Sequence, residues 1–178
     1  DKISHALLLH FPSKVVPIPT EIEFQEISQQ LNTRLTFCLV DRADSPAFLQ
    51  PAIKVEHCYG EIKFAASEQF EHISLLKKGN VQYQIHRQAE QEQHNMAQLR
   101  ELGLQTLSVE ILPPSLDKQY FVSIGLLPEA IIDWSALSSQ RIDELTELGF
   151  DVHFASDFDL NIVDAQLDVD LVDDDESG

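Results

Sequence analysis

AEQEQHNMAQLRELGLQTL, residues 89–107, decides how the second half of the chain is read. Ile85, Ala89, Met96, Leu99 and Leu102 fall at helical spacing, while Glu90, Gln91, Gln93, Gln98 and Arg100 take outward positions. Gly103 then stands where a helix end needs a left-handed residue, and Leu104 opens an extended run, LQTLSVEIL, closed by Pro113-Pro114. The skeleton Leu-x-Glu-Leu-Gly-apolar returns in LTELGFDVHF, Leu145–Phe154. There Ser139 is the expected N-cap, Ile142, Leu145 and Leu148 the buried stripe, and Gly149 the stop. Phe150, Val152 and Phe154 alternate with Asp151 and His153 as a half-buried strand. The two copies are too dissimilar and too irregularly spaced for a solenoid. They read as two helix–Gly–strand joints and carry no chemistry of their own.

Upstream, the pattern is β. HALLLHF (His5–Phe11) reads as a buried strand, and the Pro-punctuated PSKVVPIPT after it cannot form a central strand or a helix. TRLTFCLV (Thr33–Val40) is β-rich, and DRADSPAFLQP (41–51) is a loop. AIKVEHCYGEIKFAA gives two strands around Tyr59-Gly60, and HISLLKKGNVQYQIHR repeats the pattern around Lys78-Gly79-Asn80, with Val81, Tyr83 and Ile85 on one face. Between the two joints, KQYFVSIGLL is a further strand, and PEAIIDWSAL with SSQRIDELTEL gives one broken helix or two short ones. The expected class is α+β, with a mostly antiparallel sheet in the N-terminal half followed by helix–Gly–strand units. Three parts are expected: a mostly β subdomain over 1–86, an α/β part packing on it over 87–155, and an acidic strand with linker or tail over 156–178.

Composition narrows the function. With 178 residues, 43% of them apolar, the chain can bury a real core. Its longest strongly apolar runs, such as Ala6–Leu9, fall far short of the roughly 20 residues a membrane helix needs. The N-terminus lacks the basic, apolar, small-residue order of a secretion signal. Cys38 and Cys58 lie in strand-like runs and not in a CxxC, which reads as two buried free thiols in a reducing cytoplasm. The formal net charge is −18, which repels polyanions and makes a direct grip on nucleic-acid phosphates unfavourable. Nine of the acidic residues lie in Ser156–Gly178, a stretch with no Lys or Arg, so the remainder carries −9. The final VDDDESG reads as a solvated tail or as the start of a linker.

The catalytic motifs fail one by one. Asp157, Asp159 and Asn161 open a D-x-D-x-N calcium loop, but Ile162 stands where the loop needs Gly and Asp168 where it needs Glu. The plainer account turns Phe158, Leu160 and Ile162 to a core and their polar neighbours to water. His86, Glu90 and His94 have i, i+4, i+8 spacing, but that reach is about 12 Å along a helix, too far for one ion. His5, His10, His57, His72 and His153 are scattered, and none stands beside a Ser or Cys in a nucleophile motif. The six glycines include no G-x-x-x-x-G-K-[ST] or G-x-G-x-x-G spacing, so no phosphate loop of a known kind is present. Trp134 reads as a packing anchor. No catalytic, cofactor-binding or metal-ligating residue is assigned from the sequence, and no cofactor is expected in this segment.

Taken in order, AIKVEHCYGEIKF, QYQIHR, QAEQEQHNMAQLRELGL, DWSAL, LTELGFDVHF and DFDLNIVDA, followed by an acidic Ser-Gly link, resemble the N-terminal region of large bacterial Swi/Snf-type DEAD/DEAH-box helicases. The resemblance covers most of residues 50–178. It implies a parent protein that uses ATP and magnesium and moves on or remodels nucleic-acid complexes in the cytoplasm. That family's catalytic motifs match nothing in this chain, so no functional residue carries over. The expected role is a non-catalytic accessory segment that docks on its own motor domains or recruits a protein partner. Nucleic acid would be met through the parent protein, and no membrane would be involved. An acidic face could also restrain the motor by occupying its basic channel. Two alternatives remain from the residues alone. One is a free-standing acidic inhibitor of the immunity or DNA-mimic kind. The other is a metal-dependent hydrolase built on Asp157 and Asp159.

Overall fold

Thr33, Leu35 and Phe37 on one strand, and Ile53, Val55 and His57 on its neighbour, are all buried, while the residues between them are more exposed. That period of two gives the centre of the fold one buried face. The computed structural model describes residues 23–45, 49–116 and 118–158. The expected strand HALLLHF, the Pro-rich stretch after it, and Asp159, Asn161 and the acidic run lie outside these residues.

The described strands are β1 (Glu23–Ile27), β2 (Leu31–Asp41), β3 (Leu49–Tyr59), β4 (Ile62–Ala65), β5 (Ile73–Lys78), β6 (Val81–His86), β7 (Gln105–Thr106), β8 (Phe121–Ser123) and β9 (Asp151–Phe154). The helices are α1 (Ala89–Glu101), α2 (Ile131–Gln140) and α3 (Ile142–Glu147). One sheet has the order β7-β8-β3-β2-β9, with β4 also paired to β3, and a small sheet has the order β1-β6-β5. The class is α+β as the sequence suggests, but the expectation of a mostly antiparallel sheet needs correcting. Both sheets are mixed, because β1 runs parallel to β6 and β2 parallel to β9. A parallel neighbour requires a crossover of the intervening chain. Alternation reports which face a strand buries, not which strand lies beside it.

The main core lies on the face of β2 and β3 that carries Leu35, Phe37, Ile53 and Val55. Met96 and Leu99 of α1, Trp134 and Leu137 of α2, and Leu145 of α3 close over it. Trp134 is fully buried, meets the edge of Phe37 at 6.5 Å between ring centroids, and donates its indole N–H to the Gly125 carbonyl at 3.2 Å. A smaller cluster of Val40, Ala52, Leu107, Leu112 and Phe121 forms a second core. Here the extended run predicted over Leu104–Leu112 contracts to the two residues of β7. Leu107 and Leu112 are used as buried anchors of a turning segment instead. Buried Gln50 ties the chain around 123–127 to β3: its amide donates to the Gly125 carbonyl at 2.9 Å, and its Oε1 accepts from Leu127 N–H at 3.0 Å.

The two joints share one hydrogen-bond pattern. After α1, Gly103 N–H donates to the Arg100 carbonyl at 2.9 Å and Leu104 N–H to the Leu99 carbonyl at 3.0 Å. After α3, Gly149 N–H donates to Thr146 at 3.0 Å and Phe150 N–H to Leu145 at 3.1 Å. This is the Schellman closure, with its apolar contact supplied by Leu99 and Leu104 in one copy and by Leu145 and Phe150 in the other, all buried. Gly103 and Gly149 have φ of +86° and +92°, a backbone that a side chain makes costly. Two boundaries differ from the sequence reading. Ile85 belongs to β6, so α1 starts at Ala89. Ser139 does not cap α3, because its hydroxyl bonds back to the Ser135 carbonyl within α2, and Arg141 stands at the cap.

Candidate functional site

The α1 stripe has a member the sequence reading left out. Glu92 lies three residues after Ala89 and four before Met96, on the buried face, and its side chain is fully buried. Its partner is Arg87, the residue just after β6, whose side chain is only 6% exposed. The guanidinium grips the carboxylate with two bonds, Nε to Oε1 at 2.9 Å and Nη2 to Oε2 at 2.6 Å. Tyr59, at the end of β3, donates its hydroxyl to Glu92 Oε1 at 2.6 Å and accepts the Gln88 N–H at 2.7 Å. The Arg87 guanidinium also sits 4.8 Å over the ring of Phe64 in β4, and Nη1 donates to Ser74 Oγ of β5 at 3.3 Å. Burial opposes the charge on Arg87, but the hydrogen bonds and charge of Glu92 outweigh it and raise its pKa. Burial first, then the bond to Glu92, pushes the Tyr59 hydroxyl well above its usual range. Every strong donor and acceptor in this cluster is occupied by another member. It clamps the β6–α1 corner onto the β3–β4 hairpin and offers no free group for acid–base or nucleophilic work.

Beside it, His57 is fully buried. Its Nδ1 lies 3.1 Å from Thr33 Oγ1, which also accepts from Asn95 at 2.8 Å, while Nε2 has no partner. Burial pushes the imidazole down from its ordinary value, and Glu92 and Arg87 act on it in opposite senses. The ring is held neutral, away from solvent. Cys38 and Cys58 are free, half-buried and buried respectively, and burial raises both thiols, Cys38 to about 11. Neither is the low-pKa, accessible thiol that nucleophilic chemistry requires.

The residues weighed from the sequence are not drawn together. His86 ends β6, 4.0 Å from Glu26, while Glu90 and His94 point outward from α1, so the three do not share a helix. Asp157 is exposed, and Asp159 lies outside the described residues. His153 pairs with Asp151 at 2.8 Å, and Asp151 also meets Arg34 at 2.8 Å. Among the described residues no group of three or more His, Cys, Asp or Glu is placed to hold a metal ion. Among them, too, no helix is long and apolar enough to cross a membrane. The chain was compared with protein-family models, with curated proteins and with solved structures. None matches it.

One open feature among the described residues is a groove of about 590 Å³ between the small sheet and the β3–β4 hairpin. Ile27, Leu76 and Tyr83 come from the small sheet, and Tyr59, Ile62 and Lys63 from the hairpin, with Lys78 at the rim. The strand register explains the small-sheet side. Tyr83 pairs with Leu76 and Val81 with Lys78, so these side chains share one face. The opposite face of the same sheet exposes Phe24, Ile73 and Leu75 by half or more. Arg34, Arg42, Lys54, Arg87, Arg100 and Arg141 all have a carboxylate within ion-pair distance. Lys63, Lys77, Lys78 and Lys118 have none among the described residues, and by strand register Lys63 shares the Cys58 face of the hairpin, opposite Ile62 and Tyr59.

Proposed function

We propose that this chain is a non-catalytic accessory segment of a cytoplasmic, ATP-dependent nucleic-acid helicase or translocase of the Swi/Snf type, serving in docking, regulation or partner recruitment. The observation that carries the reading is the order of elements along the chain. A hairpin turning at Tyr59-Gly60 is followed by a strand ending at His86, then by α1, the Trp134 helix and the α3–Gly149–β9 joint. These are the segments on which the resemblance rests. A second support is the exposed apolar trio Phe24, Ile73 and Leu75, the kind of surface through which a segment packs on a neighbour. ATP and magnesium belong to the motor lobes in this reading, as does the hold on nucleic acid.

The reading frame tests it at once. Coding that continues past Gly178 into a phosphate-binding loop and an Asp-Glu-Ala-His box is the expected result. A stop codon directly after Gly178 would favour the free-standing acidic inhibitor and overturn the proposal.

A further inference from the structure

We propose that two copies of this chain pair through the outer edge of β5, antiparallel and centred on Leu75, so that two small sheets become one continuous sheet. The inference goes beyond the motor-protein reading and concerns β5 whichever polypeptide carries it, so its failure would leave that reading untouched. β5 ends the strand order β1-β6-β5, and among the described residues it pairs only with β6. Its six residues run without a bulge, and all but Ser74 are exposed. Ile73 and Leu75 are exposed by 50% and 61%, and Leu76 by 39%. A regular, apolar, exposed edge of this kind is a template for a strand from another chain. Charge points to a second copy. The β5–β6 stretch HISLLKKGNVQYQIHR, residues 72–87, contains no Asp or Glu, so two molecules of net charge −18 would meet at an element of opposite sign.

One bond tells which backbone groups face outward. Arg87 N–H donates to the His72 carbonyl at 2.8 Å, and these two residues continue the register that sets Ile73 opposite His86. Antiparallel ladders alternate bonded and non-bonded pairs, so Ser74, Leu76 and Lys78 bond to β6. Ile73, Leu75 and Lys77 therefore turn their N–H and C=O groups to the free edge. A two-fold axis at Leu75 satisfies all three residues together. Leu75 then meets Leu75 of the second copy, and Ile73 meets Lys77 of the second copy. Their side chains share the exposed face of the sheet, so the two leucines cover each other. Glu71, two residues before Ile73 and 62% exposed, lies diagonally within reach of the same lysine. Parallel in-register pairing would instead set Lys77 on Lys77 and Lys78 on Lys78. The lysines thus select a closed antiparallel pair over an open-ended stack. Phe24, on β1 at the other side of the small sheet, stays outside the pairing.

The test is sedimentation velocity of residues 1–178 from micromolar to submillimolar concentration. The interface is small, so a reversible shift from 20.2 kDa to twice that mass is expected, with a dissociation constant on the order of 10–100 µM. Leu75→Pro removes only an outward N–H and leaves the ladder to β6 whole, because an edge strand tolerates proline. It should abolish the dimer, with circular dichroism and Trp134 fluorescence unchanged. Ile73→Lys tests the same register without proline: it sets like charges opposite each other twice, each costing about 2- to 5-fold, so dimerisation should weaken about tenfold. Adding Lys77→Glu to Ile73→Lys turns both clashes into ion pairs and should restore the dimer. A monomer at every concentration would overturn the proposal, whether the edge stays open or another part of the chain covers it. So would a dimer indifferent to Leu75→Pro and Ile73→Lys, or a double variant no tighter than Ile73→Lys alone.

Discussion

Replacing Glu92 with Gln keeps the shape of the side chain and removes its charge, which leaves the Arg87 guanidinium facing a neutral amide in a site where only 6% of its side chain is exposed. The carboxylate accepts two bonds from Arg87 and one from Tyr59, and an amide has one oxygen for these three donors. Breaking a buried ion pair from one side costs about 3–5 kcal/mol, because the other charge stays buried and uncompensated. Ser74 Oγ, 3.3 Å from Arg87 Nη1, and the more exposed Glu71 carboxylate, 3.8 Å from it, offset part of that. The expected loss is therefore near the lower end, about 3 kcal/mol, a large share of the 5–15 kcal/mol typical of a folded domain. For a chain of this size the midpoint of thermal unfolding should fall by roughly 6–12 °C. Urea unfolding followed through the single, fully buried Trp134 measures it directly. The double variant Arg87→Met/Glu92→Met removes both charges and should lose less than Glu92→Gln alone. A loss below about 1 kcal/mol for Glu92→Gln, or a double variant as unstable as the sum of the single ones, would refute the view of a sealed, mutually dependent pair.

Gly103→Ala and Gly149→Ala each place a side chain on a left-handed backbone and should cost about 1–2 kcal/mol, read as urea midpoints; a neutral result at both would remove the shared joint geometry. His57 is held neutral in the fold with a lowered pKa, so the unfolded chain binds more protons as pH falls through its ordinary value of 6.5. Stability should thus be level above about pH 7 and decline below 6.5, and His57→Gln should flatten that part of the profile; an unchanged slope in the variant would contradict it.

Sequence reading succeeded where a local rule decides the structure. Gly103 and Gly149 each follow an apolar stripe and precede an extended run, and one backbone closure satisfies both. The β3–β4 and β5–β6 hairpins were equally legible, because strand alternation and a Gly-containing turn lie within a few residues of each other. Ile85 is the ambiguous case: it lies four residues before Ala89 and also alternates with Tyr83 and Val81, and pairing with Ser74 and Ile27 settles it as strand. The parallel neighbours were beyond reach, since Arg34 and Asp151 meet across 117 positions of chain and no local pattern announces it. Glu92 left a signal that could have been read. The stripe through Ala89, Met96 and Leu99 has a vacancy at position 92, and a charged residue on a buried stripe requires a buried partner, which the adjacent Arg87 supplies. The groove left none, because its two walls come from β-hairpins whose side-by-side placement is a tertiary fact.

In the proposed reading these residues act through what they bind, and the chemistry is carried by other parts of a longer polypeptide. ATP turnover measures this most directly, assayed with magnesium and DNA for residues 1–178 alone, for the full-length polypeptide, and for the polypeptide lacking this segment. The expected results are no turnover by the segment, DNA-stimulated turnover by the full-length protein, and an altered, salt-dependent DNA response when the segment is removed. Turnover by residues 1–178 alone, or a truncated protein whose activity and DNA response are unchanged at every salt concentration, would contradict it.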